Sequence, residues 1–292
     1  MTYYAHWTQG GGEGGGSSEG GGGSVTPGYE AIEEGDIVAA YAAPKAVVLP
    51  GAVYDGNAVV GIVELKLAKV NEKKGTSKVS GSLTGLDGKK ITLKAVPVEG
   101  IDGHSPKSVS LVVKGVGTMT VTIGGTQFAG SLNGWHVQSA TVGGDWTGRG
   151  ATVTVDAPRE TLPAGTQEQL LPNDEQATVN DGKWSFSKAA SVKWAKPKKG
   201  AERPEIFDEA SQKGLIVDTS KGKTNLSGMK LTNTPKKGTF KGKFTLYALE
   251  GAGKSTKLKK YSVNVTGVVV NGVGYGVATC KKPDISWSVT VR

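Results

Sequence analysis

Cysteine is nearly absent from this chain. Cys280 stands alone, which excludes a disulfide framework and any site built on paired thiolates. Arginine is scarce too: of 35 basic residues only Arg149, Arg159, Arg203 and Arg292 are not lysine. Surfaces that read nucleic acid usually join arginine to aromatics in one patch, to neutralise phosphates and stack bases. The net charge of +9 is therefore not read as a nucleic-acid footprint. No apolar run approaches the roughly 20 residues that a spanning helix needs. Met1 is not followed by a basic segment and an apolar core, so an exported form is expected to carry its signal upstream.

Catalytic patterns are missing as well. His6, His104 and His136 lie in unrelated contexts, and neither HExxH nor Gly-x-Ser-x-Gly occurs. With one cysteine and no convergent histidines, neither a metal nor a cofactor is expected, and Cys280 reads as a buried strand thiol. Carboxylates cluster only at residues 31–36, 173–175 and 207–209, each expected on a solvated loop or helix. A glycosidase pair can be assembled from distant positions, but nothing in the sequence recommends one.

What the chain has in quantity is glycine, 45 residues of it, together with alternating Val, Thr and Lys. Stretches such as "AVVGIVELKLAKV" (58–70), "KKITLKAVPV" (89–98), "SVSLVVKGV" (108–116) and "GTMTVTIGG" (117–125) alternate with period two. That is the signature of strands with one face buried. The breaks are turn pairs that supply positive φ angles: Asp87-Gly88, Gly124-Gly125, Asn133-Gly134 and Gly143-Gly144. The expected fold class is all-β, two antiparallel meander modules closed as small barrels or sandwiches, with one short helix. That helix is placed over 202–214, with a possible further turn near 165–171. Lysines alternate with apolar residues in "LKLAK" (65–69) and "FKGKF" (240–244). This fits a solvated face that guards strand edges, or alternatively an anion-binding face.

The expected organisation has five parts. Residues 1–7 end a repeat, 8–28 form a Gly/Ser-rich linker, 29–156 a first β module, 157–178 a linker and 179–292 a second β module. An internal duplication is suggested by "KKGT" at 73–76 and again at 236–239, and by "VTIGGTQFAG" (121–130) against "VVVNGVGYGV" (268–277). That alignment sets Gly125 against Gly272 and Phe128 against Tyr275, with 16 extra residues in the first copy placed in the loop 98–107.

One segment imitates a nucleotide site. "ALEGAGKST" (248–256) fits the loose phosphate-loop pattern, which works only between a strand and a helix N-terminus. Here "KLKKYSVNVTGVVV" (257–270) follows, which alternates and is β-branched, so the segment is expected to be a hairpin tip. Among six tryptophans, Trp184, Trp194 and Trp287 are read as core. Trp135 and Trp146 flank one strand near hairpin ends, where they are either core or platforms that stack on sugar rings.

"YYAHW" ahead of the Gly-rich run resembles the end of a Listeria–Bacteroides repeat, the internalin-type B-repeat of bacterial surface proteins. The remainder, including "KKGTSKVSGSLTGLDGKKITLKAV" and "KKYSVNVTGVVVNGVGYGVATCKKPDISWSVTV", is similar to C-terminal β modules of large exported proteins of the Verrucomicrobia and Lentisphaera type. The resemblance implies an extracellular or cell-surface location and brings no site residues. The leading expectation is a non-enzymatic stalk, adhesion or display region of a longer polypeptide, with a glycan or cell-envelope component as partner and neither nucleic acid nor nucleotide. Its rivals are a carbohydrate-binding module using Trp135 and Trp146, and a glycan-degrading or peptidase domain.

Overall fold

The computed structural model describes residues 46–99, 106–125, 127–141, 150–156, 166–170, 175–180, 183–186, 191–194, 215–218, 227–251, 255, 257–281 and 284–292. Nearly all of them lie in antiparallel strands. Among the described residues helical geometry is confined to a 3₁₀ turn at Pro235–Lys237, closed by Gly238 at φ 60°, and to Ser255. The helix expected over 202–214 lies outside the described residues.

The first sheet has eight strands: β1 (Val47–Asp55), β2 (Ala58–Leu67), β3 (Thr76–Gly85), β4 (Lys90–Glu99), β5 (Lys107–Val113), β6 (Gly117–Gly124), β7 (Gln127–Leu132) and β8 (Trp135–Ser139). Their spatial order is β4-β3-β2-β1-β8-β7-β6-β5. Every neighbour is a chain neighbour except β1 and β8, so this is an up-and-down meander whose two ends zip together. The outer strands β4 and β5 then curl towards each other without a hydrogen-bonded ladder, leaving a sheet that is nearly a barrel. Alternation along most of the strands drives the curl, because the apolar face of the sheet must be taken out of water. Leu65, Leu83, Leu111, Met119, Phe128 and Val137 fill the interior. Between Leu65 and Leu67, Lys66 points to solvent. The turns follow their chemistry: Asn133 and Gly134 have φ of 49° and 85°, and Gly88 has 80°.

The second sheet contains β9 (Gly150–Asp156), β10 (Thr166–Leu170), β11 (Glu175–Asn180), β12 (Lys183–Phe186), β15 (Lys230–Thr234), β16 (Thr239–Glu250), β17 (Lys257–Val270), β18 (Val273–Lys281) and β19 (Asp284–Val291). Its order is β10-β16-β17-β18-β19-β9-β11-β12, with β15 also on β16. A separate hairpin joins β13 (Ser191–Trp194) to β14 (Leu215–Asp218). Here too the first and last strands pair, β9 with β19, and β12 comes back alongside β15. Trp184 on β12 meets Phe240 on β16 edge to face, with ring centroids 5.1 Å apart. Trp287, Phe244 and Cys280 share this core, so Trp184, Trp287 and the thiol are interior as expected. The Trp194 side chain is outside the described set.

Two boundaries differ from expectation. The first module does not extend to residue 156, because β9 is laddered to β19 and β11 of the second sheet. The stretch expected as linker over 157–178 supplies β10, so no helical turn forms at 166–170. A five-residue strand such as β10, "TQEQL", carries too little pattern to be seen alone. Pairing with the long β16 selects its conformation.

The residue alignment between the modules is also corrected. In the first, the β6–β7 ladder closes on Gly124 opposite Gln127, making Phe128 the second residue of β7. In the second, β17–β18 closes on Val270 opposite Val273, so the second residue is Gly274 and Tyr275 is the third. The alignment is out by one residue, and a one-residue slip reverses the face of every side chain. Phe128 accordingly sits in the interior of its module, while Tyr275 packs on the outside of its own. Nor is the length difference a loop insertion. Four strands, β3 to β6, separate the anchors in the first module, against β16 and β17 in the second, which run to 12 and 14 residues. What the modules share is the meander with paired ends.

Candidate functional site

Of the two tryptophans read as either core or stacking platform, Trp135 opens β8 and turns inward. It is 9% exposed and belongs to the first module's core, so its ring is not an open platform. Trp146 lies outside the described residues, as do His6, His104 and the acidic groups at 31–36 and 207–209. His136 is on the solvent side of β8. The flanks of the phosphate-loop look-alike, β16 and β17, are paired to each other from Glu250↔Lys257 inward. A strand follows the segment, and its Lys254 lies outside the described residues.

Among the described residues, two places that bring polar chemistry together stand out. The first is the end of the second module where that hairpin opens. The Tyr261 hydroxyl donates to a Glu250 carboxylate oxygen, and Lys259 Nζ lies 3.9 Å from the other oxygen. Burial, then the hydrogen bond to Glu250 and its charge, push the Tyr261 phenol up to about 12. At this height the phenol is a donor and not a base, so the group fixes the hairpin mouth and offers no nucleophile at neutral pH.

The second is the cleft between the modules. They dock through a third apolar cluster, in which Ala52, Tyr54, Val59 and Ala140 of the first meet Val268 and Val270 of the second. Two hydrogen bonds lock this contact: Thr141 N–H donates to Val269 O at 2.8 Å and Asn271 N–H to the Thr141 side-chain Oγ1 at 2.8 Å. Asn271 holds φ 47° in its turn with Gly272, which lets the peptide face Thr141. Beside the cluster opens a cleft of about 360 Å³ lined by Asn57, Val59, Leu86, Tyr275, Thr290 and Arg292 among others. Burial raises the Tyr275 phenol and the positive charge of Arg292 opposes it. An apolar floor with a phenol, an amide, a hydroxyl and a guanidinium at its rim suits a small polar or acidic group, and the volume is at the small end of ligand pockets.

Sequence reasoning did not find this cleft, since its walls come from the β1–β2 and β3–β4 turns of one module and from β18–β19 of the other. The one legible signal, Tyr275, was paired with a core phenylalanine by the slipped alignment. Among the described residues no group of His, Cys, Asp and Glu is placed to hold a metal ion. No helix of the described residues is long and apolar enough to cross a membrane. No family model, curated protein or solved structure matches this chain.

Proposed function

We propose that the chain is a non-enzymatic, exported or surface-associated β protein, the stalk, adhesion or display region of a longer repeat-bearing polypeptide. The observation that supports this reading best is the docking of two separately cored modules by a third apolar cluster and the hydrogen bonds of Thr141. Docking of this kind restrains the two modules against each other, and a Gly/Ser-rich segment at 8–24 precedes them in the sequence. Together they suit a part that holds a position away from an anchor. The resemblance of its sequence to modules of exported proteins supports the extracellular side. Carbohydrate binding is a second reading, now favoured by the inter-module cleft and its Tyr275 and Arg292 rather than by Trp135.

The test is accessibility on intact producing cells. An antibody raised against residues 46–292 should label cells that have not been permeabilised, and added proteinase should remove the signal. Labelling and digestion that require lysis would overturn the surface reading.

A further inference from the structure

The outer face of β15, β16 and β17 is strongly one-sided in charge. Between Lys230 and Val270 the chain carries nine lysines and a single acidic residue, Glu250. Glu250 is spent on Tyr261 and Lys259 at the hairpin mouth. On the outer face, Lys230 lies directly opposite Lys243, and Lys241, opposite Thr232, is next along the same side of β16. Further along, Lys260 stands over the Tyr247 ring at 5.7 Å. Lys230, Lys241, Lys243 and Lys260 are all exposed.

Like charges opposed across a ladder are destabilising, and a face serving only solubility is normally mixed in sign. The first module shows that mixture, with Glu64 and Lys66 two residues apart on the outside of β2. The lysines of the second module are embedded in a hydrogen-bonding field. Thr232 and Thr234 of β15 and Ser262, Asn264 and Thr266 of β17 are exposed on the same side. Same-side positions along a strand are about 6.8 Å apart and neighbouring strands about 4.8 Å. The result is a two-dimensional grid of ammonium groups, hydroxyls and amides.

We infer that this face binds an acidic polysaccharide, a polymer that presents carboxylates at regular intervals between hydroxyl-rich rings. Ammonium groups neutralise the carboxylates, and the Thr, Ser and Asn side chains exchange hydrogen bonds with the ring hydroxyls. Nucleic acid fits less well. None of the nine basic residues in this stretch is arginine, and the nearest aromatic on the face, Tyr247, is buried to 9% exposure and unavailable to stack a base. The inference deepens the surface reading and rests on it for the choice of polymer. The charge of the face does not depend on it.

The experiment measures binding of the whole chain to immobilised polygalacturonate, with dextran as the neutral polymer and single-stranded DNA as the competing polyanion. A triple variant, K230Q/K241Q/K243Q, is compared with K66Q/K78Q/K94Q, three exposed lysines of the first module. Saturable binding to polygalacturonate and not dextran is expected. It should weaken steeply between about 0.05 and 0.2 M salt, and fall about tenfold or more in the first variant alone. Binding that both variants lose equally, or no binding, overturns the inference. Tighter binding of DNA through the same three lysines overturns the choice of polymer. Lys→Gln at exposed positions leaves the core untouched, and circular dichroism spectra of both variants matching that of the wild type are the check on it. Cell-surface labelling is read separately, so loss of the location and loss of the ligand are distinguishable.

Discussion

At the scale of single residues, the cores rest on aromatic side chains fitted against glycine. Phe128 is fully buried, and a Cβ on Gly51 would come within 2.5 Å of its Cζ. The ring occupies space that glycine leaves open. Phe128→Ala should therefore cost about 3–5 kcal/mol in urea unfolding, the usual loss for emptying an aromatic core site. A loss below about 1 kcal/mol would show that the site collapses or that the ring is not interior. Tyr261 gives a pH-dependent counterpart. Its phenol is raised from 10 to about 12 by burial and by Glu250, so the folded state holds the proton more tightly than the unfolded chain. That contribution is complete below the unfolded value of about 10 and is lost as pH climbs towards 12. Stability should fall across this alkaline window, and Tyr261→Phe should flatten the decline. Absorbance titration near the phenolate band should show one late tyrosine that the variant lacks.

At the scale of elements, the long β16–β17 hairpin organises the second module. Phe240 of β16 reaches across to three glycines: Gly267 of β17 and Gly274 and Gly276 of β18. A Cβ on Gly267 would also sit 2.5 Å from Tyr275 O. The strand therefore needs glycine there for close approach. Gly267→Ala should destabilise by about 1–3 kcal/mol, the range for overpacking a filled core, and a Phe240→Leu background should recover part of it. Equal losses in both backgrounds would mean that the ring is not what the methyl group meets. The same element accounts for the one-residue offset between the two aligned segments. Matching glycines in "VTIGGTQFAG" and "VVVNGVGYGV" suggested one register, yet only the ladder pairings reveal where each turn closes. Glycine identity says little about register, because the residue carries no side chain whose face could be checked.

At the scale of the whole molecule, the modules are coupled through Ala140, which is 6% exposed against Val268 and Val270, and through the bonds of Thr141. Wild-type protein should unfold in one calorimetric transition. Ala140→Arg places an unpaired charge in the shared cluster and should split that transition into two, each near the behaviour of an isolated module. A single transition that merely shifts downward would mean that the modules do not hold their structure apart. The cleft beside Tyr275 exists only in the docked arrangement, so the same variant should abolish any ligand binding measured there.

The all-β class, the turn positions at Asp87-Gly88 and Asn133-Gly134, the hairpin nature of the 248–256 flanks, and the interior places of Trp184, Trp287 and Cys280 were determined by sequence alone. Each depends on local chemistry: period-two alternation, positive φ, or an apolar side chain in a strand. The burial of Trp135, the assignment of β9 and β10 to the second sheet, the opposite faces of Phe128 and Tyr275, and the cleft were decided by tertiary structure. These depend on which strands pair and in which register. Pairing is a long-range choice made by the whole core, and no window of neighbouring residues contains it.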